Sequence, residues 1–308
     1  MSAEKSSSVA RSSAAQSNAA RSTSAKAVSG AESLPKPAVA GPAVAGKASA
    51  LERRRNFLSE VVIDYGPRDL LAPLFLKCDT ELRRVGIDMH FAPIEALVEL
   101  NKGVDPKTWR PLVQTLDPRL GTYNADNGFC MLGRNAEGEI VAVQAVRLYN
   151  FGRSNFKDEA ESLRLWYSDP EKMRRPGESC PVSAPSAAQM AGSAVYSGAV
   201  WFRPDYRGKG VTYSLGRIVK AYAYTRWAAD NVFALMSEDV YARGTAKRAG
   251  FPHTEWSVDF NNTQYGSYRM ALLWISAQEQ LAYFRSYLDS ADAQIDAVVE
   301  NRAANQQR

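Results

Sequence analysis

The spacing of apolar residues predicts a strand, a glycine-containing turn and a helix in the centre of the chain. Residues 195–202 are β-branched, aromatic and almost uncharged, which is typical of a buried strand. Pro204 ends the hydrogen-bond ladder of that strand. Apolar residues then recur at helical spacing from Val211 to Tyr222, which predicts an amphipathic helix. A second apolar segment, 232–236, predicts a neighbouring buried strand.

Similar patterns cover most of the remaining chain. They predict helices at about 70–85, 93–102 and 106–116, a hairpin of strands at 128–133 and 139–149, strands at 256–260 and 268–275, and a final helix from about 277. The connection from 150 to 192 is far longer than an ordinary hairpin loop and has helical spacing at 158–167. We therefore expect an α/β fold with a central sheet flanked by helices, and an insertion at about 151–192.

The first fifty residues differ in composition from the rest. Residues 1–50 are dominated by Ser and Ala, contain no aromatic residue, and repeat Pro-Ala-Val-Ala-Gly at 37–41 and 42–46. Such a segment cannot bury enough apolar surface to offset its ordering entropy. We expect a disordered tail at 1–50 and one folded domain at 51–308.

The net charge of +5 is concentrated in this tail. It contains six basic and two acidic residues and so carries +4, which leaves the domain close to neutral. A near-neutral domain argues against an extended nucleic-acid-binding surface. No apolar run is long enough to span a bilayer. We expect neither nucleic acid nor membrane as a partner, and a cytoplasmic protein; the alternative is an organelle matrix, because an Arg- and Ser-rich start also suits a transit peptide.

The cysteines and histidines form no metal or catalytic motif. Cys78, Cys130 and Cys180 are odd in number and widely spaced, which fits a reducing compartment. Only His90 and His253 are present, without metal-ligand spacing, so a His-based metal site or hydrolase triad is not expected. We expect no metal cofactor, and buried structural thiols at Cys78 and Cys130.

The central turn has the residues of an anion-binding site. The first turn of a helix leaves backbone N–H groups unpaired and carries a partial positive charge. Gly208 and Gly210 allow the backbone to approach a phosphate, and Arg207 and Lys209 add positive charge beside it. From these residues alone, a basic surface turn is an equal alternative, because short glycine patterns match by chance.

The order of strand, glycine turn, helix and strand resembles that of the GNAT superfamily of acyl-CoA-dependent N-acyltransferases. The sequence from Arg207 to Val211 resembles the family's pyrophosphate loop, and Gly250-Phe251 resembles the pair that closes its next helix. The resemblance covers about 128–276. It implies a GNAT-type mixed sheet and acetyl-CoA, or another acyl-CoA, as cosubstrate. It also implies acyl transfer to an amine of a small molecule or protein.

The resemblance further implies a set of cofactor-binding residues. The loop residues that would hold the diphosphate are Arg207, Gly208, Lys209, Gly210, Val211 and Thr212. The strand residues whose backbone would pair with the pantetheine arm, and offer an N–H to the thioester oxygen, are Val200, Trp201 and Phe202. Thr212 departs from the family's Gly or Ala at the last loop position, so it narrows the approach to the phosphate or hydrogen-bonds it.

Proton transfer is harder to assign. Ala246 stands where many relatives carry a tyrosine that protonates the leaving thiolate, and Tyr241 is the substitute we expect, with a core role as its alternative. Glu238 and Asp239 follow the second central strand, at the end of an α/β sheet where ligands bind. Glu238 is the expected base and Asp239 is an alternative; either carboxylate could instead cap the next helix. The missing tyrosine favours a rival function, a catalytically degenerate CoA-binding or protein-interaction module of the same fold.

The insertion at about 151–192 has two interpretations. It could form part of the acceptor pocket and meet an acidic or aromatic substrate. The residues available for this are Arg153, Arg164, Trp166, Tyr167, Arg174 and Arg175. The alternative is a solvated surface elaboration.

Overall fold

A computed structural model of the chain describes residues 56–290. The strands are β1 Asp88–Ala92, β2 Gly128–Arg134, β3 Ile140–Asn155, β4 Ala191–Phe202, β5 Asn231–Ser237, β6 His253–Thr263 and β7 Gly266–Ser276. The helices are α1 Arg68–Arg84, α2 Ala96–Lys102, α3 Phe156–Glu161, α4 Pro170–Met173, α5 Val211–Trp227, α6 Glu238–Ala242 and α7 Thr245–Arg248, followed by α8 at 277–290. The disorder predicted for 1–50 lies outside the described residues.

The seven strands form one mixed sheet in the order β1-β2-β3-β4-β5-β7-β6. Only β4 and β5 pair in parallel, and α5 connects them, as parallel neighbours require a crossover. The other neighbours are antiparallel. Helices α1 and α5 cover one face of the sheet, and α3 with the chain around it contributes to the core on the other face. The predicted α/β fold with a mixed sheet flanked by helices is confirmed.

Helix α5 follows the apolar stripe that the sequence predicts. Val211, Leu215, Ile218 and Val219 are each at most 3% exposed and belong to the core shared with α1. Burying each of these side chains contributes roughly 1.5–3 kcal/mol, so the stripe fixes the helix firmly on the sheet. The start of α5 is thereby held next to the end of β4.

Of two helices predicted in the first part of the domain, one forms and one does not. Helix α1 forms as predicted, although Pro73 lies inside it and leaves the carbonyl of Asp69 without its usual donor. The helix predicted at 106–116 is wrong, because this segment is irregular apart from a short 3₁₀ turn at Gln114–Leu116. Pro111 has no backbone N–H to give to a helix at this place.

The insertion is shorter than predicted and belongs to the core. Strand β3 continues to Asn155, so the connection to β4 covers 156–190. Helix α3 ends at Glu161, and Leu163 adopts a left-handed φ of 64°, so the predicted helix does not reach 167. Val182 bridges to Val258 of β6. Much of the connection is therefore packed onto the sheet, whereas 171–177 are exposed to solvent.

The two aromatic residues proposed for an acceptor pocket are not accessible. Trp166 is 2% exposed and stacks on Phe260 of β6, with ring centroids 4.3 Å apart. Tyr167 is also buried and donates a hydrogen bond of 2.8 Å to the carboxylate of Glu178. The expectation that these aromatic side chains meet a substrate is wrong, because β6 returns to this face and covers them. Arg164 is engaged as well, in an ion pair with Glu159 at 2.8 Å.

All three cysteines are buried and unpaired, which confirms the expectation for Cys78 and Cys130. Burial raises the pKa of Cys78, Cys130 and Cys180 to about 12 in each case. Thiols in such surroundings remain protonated and react slowly. Between residues 56 and 290, no helix combines the length and apolar character needed to cross a membrane.

Candidate functional site: the gap between β4 and β5

Strands β4 and β5 separate soon after they pair. Their parallel register begins at Ala194 opposite Asn231 and ends at Tyr196 opposite Phe233. Beyond this point β4 continues to Phe202 beside β3, and β5 continues beside β7. The two edges that face each other therefore leave backbone groups without a strand partner. A gap of this kind can accept an extended ligand chain through backbone hydrogen bonds.

A bulge lies in β4 where the gap opens. The register with β3 moves from Gly198 opposite Ala145 to Trp201 opposite Val143, so β4 has one extra residue. Ala199 takes the extra place with a φ of +50°, which is uncommon for a residue with a side chain. Bulges turn local backbone groups out of the ladder and often lie beside active sites. The bulge is therefore the place in β4 where a backbone N–H can leave the ladder and meet a ligand in the gap.

The glycine loop joins the end of β4 to α5 in an open conformation. Gly208 and Gly210 have φ values of +77° and +79°, and no atom lies within 4 Å of a Cβ built on either residue. Gly210 is the N-cap of α5, with no side-chain cap and no acidic residue in the first helical turn. The N–H groups that open this helix can therefore be reached by an anion.

The side chains of the loop have different environments. The guanidinium of Arg207 donates to the carbonyl oxygens of Phe202, at 3.1 Å, and Thr108, at 3.2 Å. Lys209 is exposed, with its ammonium 4.7 Å from the ring centroid of Tyr206. Val211 is buried in the core below, and Thr212 is half-buried. Lys209 is therefore the loop cation that a phosphate can engage without displacing the hydrogen bonds that Arg207 makes to Phe202 and Thr108.

Residues 108–110 lie across the mouth of the gap. The indole of Trp109 stacks on that of Trp201 of β4, with centroids 5.5 Å apart and planes at 20°. The next residue, Arg110, pairs with both carboxylate oxygens of Asp239 of α6, at 2.6 and 3.2 Å. This segment therefore contacts both sides of the gap. Val200, between the bulge and Trp201, is 42% exposed.

The proton-transfer candidates at the end of β5 have distinct surroundings. Glu238 is exposed at the start of α6. Asp239 does not cap α6; it accepts a hydrogen bond of 2.7 Å from the hydroxyl of Ser237, and this bond, followed by Arg110, lowers the pKa of Asp239. The ring of Tyr241 packs edge-on against Trp256 of β6, at 5.0 Å, on the side of β5 away from β4.

Tyr196 is a candidate site residue that the sequence pattern did not indicate. It is the last β4 residue paired with β5, and its hydroxyl oxygen would lie 2.8 Å from a Cβ built on Gly198. Its ring therefore lies against the backbone just before the bulge at Ala199. Burial raises the pKa of Tyr196, so its hydroxyl remains protonated at neutral pH. The signal was a glycine two residues after a strand tyrosine, which marks a close approach to the backbone.

Comparisons with known proteins give a likeness to solved structures alone. No family model matches the chain, and no curated protein matches its sequence. The chain is similar to a variant of spermidine N-acetyltransferase SpeG from Vibrio cholerae, with 9% identity, a TM-score of 0.38, and coverage of 64% of this chain and 97% of that one. It is also similar to Arabidopsis thaliana NAA60 in complex with acetyl-CoA, with 14% identity, a TM-score of 0.38, and coverage of 62% and 99%.

Proposed function

We propose that this chain is an N-acyltransferase that moves an acetyl group from acetyl-CoA to an amine. The observation that carries the proposal is the gap between β4 and β5, which opens after Tyr196 and contains the bulge at Ala199. The glycine loop follows at the end of β4 and leads into the open start of α5. The anion site at the start of α5, the free edge of β4 and the backbone donor at the bulge are therefore continuous along the chain. Together they match the diphosphate, the pantetheine arm and the thioester of an acyl-CoA.

The loop and strand residues would position the cosubstrate. The N–H groups at the start of α5 and the ammonium of Lys209 would hold the diphosphate, with Gly208 and Gly210 giving it room. The backbone of Val200–Phe202 would pair with the pantetheine arm. An N–H group at the bulge would then stabilise the negative charge that develops on the thioester oxygen during attack.

Acyl transfer requires two proton movements. The attacking amine forms the new C–N bond and loses a proton, and the C–S bond breaks to leave a thiolate that gains one. We assign the first proton to Glu238, whose exposed carboxylate at the end of β5 can accept it through a water molecule. We assign the second to Tyr196 ahead of Tyr241, because the Tyr196 hydroxyl lies beside the bulge whereas Tyr241 packs against β6.

A second function is favoured by one observation. Ala246, which stands where the resemblance implies a catalytic tyrosine, is 7% exposed and packed among the apolar side chains of β5 and β7. The second candidate is therefore a CoA-binding or protein-interaction module without catalysis. In its CoA-binding form it differs from the enzyme only in turnover, since both would bind CoA at the same loop.

Calorimetric titration followed by a thiol-release assay tests the proposal. We expect the full-length chain to bind acetyl-CoA, and to release free CoA thiol when a panel of primary amines is added. The cysteines are buried and protonated, so a thiol reagent should report the product with little background. Binding without thiol release would favour the CoA-binding module. Absence of binding would reject both the enzyme and the CoA-binding module.

A further inference from the structure

A cavity of about 410 Å³ lies beside the start of α5, on the side that faces α1 and α8. It begins at Lys209 and Gly210 of the glycine loop and extends along the helix to Arg217. Its volume is in the range of small-molecule sites. The cavity does not include the gap between β4 and β5. The pantetheine arm placed in that gap therefore does not fill it.

Three cationic side chains line the cavity: Arg84, Lys209 and Arg217. The guanidinium of Arg217 lies 3.6 Å from the ring centroid of Tyr287. Its Nε is buried and has no hydrogen-bond partner among residues 56–290. A buried donor without an acceptor destabilises the folded state. A ligand that supplies an acceptor to this Nε removes that cost, so its binding is favoured.

One acidic residue, Glu81, also lines the cavity. Its carboxylate accepts a hydrogen bond of 2.5 Å from the hydroxyl of Ser214 and another from the hydroxyl of Tyr287. The ammonium of Lys77 lies 3.8 Å away. Because Glu81 is already compensated, the three cations give the cavity a positive balance, which favours an anionic ligand.

Aromatic rings complete the walls. Tyr213, which is 40% exposed, lines the cavity, and Tyr287 lines it opposite α5. Flat aromatic faces beside guanidinium groups suit a purine base that carries a phosphate, because the base stacks and the phosphate pairs with Arg.

We propose that this cavity binds the 3′-phosphorylated adenosine end of CoA. The inference rests on the proposed function, which places the diphosphate at the start of α5. Arg217 lies about 9 Å further along the helix axis than Val211, at 1.5 Å per residue. A single ribose joins the diphosphate of CoA to its 3′-phosphate, so the two groups are neighbours. Arg217 and Arg84 contact the 3′-phosphate, and Tyr213 packs against the adenine.

Calorimetric titration with CoA and with 3′-dephospho-CoA tests this assignment. We expect the full-length chain to bind 3′-dephospho-CoA about tenfold to a hundredfold more weakly, because charge-assisted hydrogen bonds are lost. Arg217→Met and Arg84→Met should each weaken CoA binding and leave 3′-dephospho-CoA binding unchanged. Replacing Arg217 removes its stacking on Tyr287 and could disturb folding. Arg84 is exposed, so Arg84→Met should fold normally and still tests the assignment.

Lys247→Met provides the matched control. Lys247 is an exposed cation on α7, outside the cavity, and its replacement should alter neither affinity. Equal binding of the two ligands by the unmodified chain would overturn the assignment while the proposed function stands. The assignment would also be overturned if Lys247→Met, and not the arginine variants, bound CoA and 3′-dephospho-CoA with equal affinity. If neither ligand binds, the assignment and the proposed function both fail.

Discussion

The hydroxyl oxygen of Tyr196 lies so close to the backbone of Gly198 that a Cβ at position 198 would be 2.8 Å from it. Side-chain carbons do not approach other atoms this closely, so any larger residue at 198 must displace the ring. Both residues lie where β4 leaves β5. The absence of a side chain at Gly198 therefore fixes the position of the hydroxyl that we assign as the proton donor.

Gly198→Ala should move the Tyr196 ring. We expect the thiol-release turnover to fall at least tenfold, with CoA affinity within about twofold of the unmodified chain, and a loss of about 1–3 kcal/mol in unfolding free energy from overpacking. Gly216→Ala in α5 is the control. Apart from the adjoining residues and backbone of α5, no atom lies within 4 Å of its added Cβ, so it should gain up to about 1 kcal/mol of stability and keep its turnover. Normal turnover in Gly198→Ala would show that catalysis does not depend on the position of the Tyr196 ring.

Tyr196→Phe should separate catalysis from binding. Removing the hydroxyl deprives the leaving thiolate of its proton donor, so we expect kcat to fall by about 10²–10⁴ while the Kd for CoA is unchanged. Tyr241→Phe is the comparison and should retain near-normal kcat, because its ring packs against Trp256. Steady-state kinetics of both variants decide between them. The opposite pattern would make Tyr241 the acid.

Gly210→Ala should lower the affinity for CoA, beyond the loss of unfolding free energy that any side chain at this φ causes. A side chain at a φ of +79° costs about 1–2 kcal/mol and narrows the approach to the helix start. Gly138→Ala is closely matched, because Gly138 has a φ of +81° with no atom near its added Cβ, but lies in the turn between β2 and β3. Denaturant titration should show similar losses for both variants. Calorimetry should show at least a tenfold loss of CoA affinity in Gly210→Ala alone; equal affinities would contradict the loop assignment.

Lys220 should make stability depend on pH. It is 2% exposed in α5, and its ammonium donates to the carbonyl oxygens of Ala249, at 2.6 Å, and Gly250, at 3.3 Å. Burial, with the nearby charge of Arg217, lowers the pKa of Lys220 from 10.5 to about 7. Between these values the unfolded chain holds a proton that the folded chain lacks, so the contribution of Lys220 is least favourable below about pH 7 and rises toward pH 10.5.

Denaturant unfolding of Lys220→Met across this pH window checks the sign. The unmodified chain should gain unfolding free energy relative to the variant as the pH rises, because other titrating groups are common to both. Parallel pH profiles for the two chains would show that the folded-state pKa of Lys220 is not lowered.

The centre of the fold could be predicted from sequence because its signals are local. Strand β4, the loop after Pro204 and the stripe of α5 each rest on strong spacing within one segment. Strand β1 was missed because it is a short edge strand, Asp88–Ala92, in which polar residues alternate with apolar ones. The helix at 106–116 was predicted from apolar spacing, but these apolar residues belong to a loop. One of them, Trp109, packs against Trp201 of β4 rather than against a helix neighbour.

The missed parts of the site depend on contacts between distant segments. Nothing near Trp166 in the sequence shows that Phe260 returns to cover it. The separation of β4 from β5 is likewise not visible in either strand, since both are uncharged and largely apolar. It is this separation that places Tyr196 at the opening of the gap. The loop glycines could be assigned because a left-handed backbone needs glycine; the proton-transfer residues could not, because their roles follow from tertiary position.

A crystal structure of the full chain with CoA bound would show where the diphosphate lies. We predict that its oxygens accept hydrogen bonds from backbone N–H groups of the loop and first turn, 207–212, while the pantetheine arm enters the gap beside Val200–Phe202. A diphosphate bound elsewhere, with these N–H groups still exposed to solvent, would contradict it.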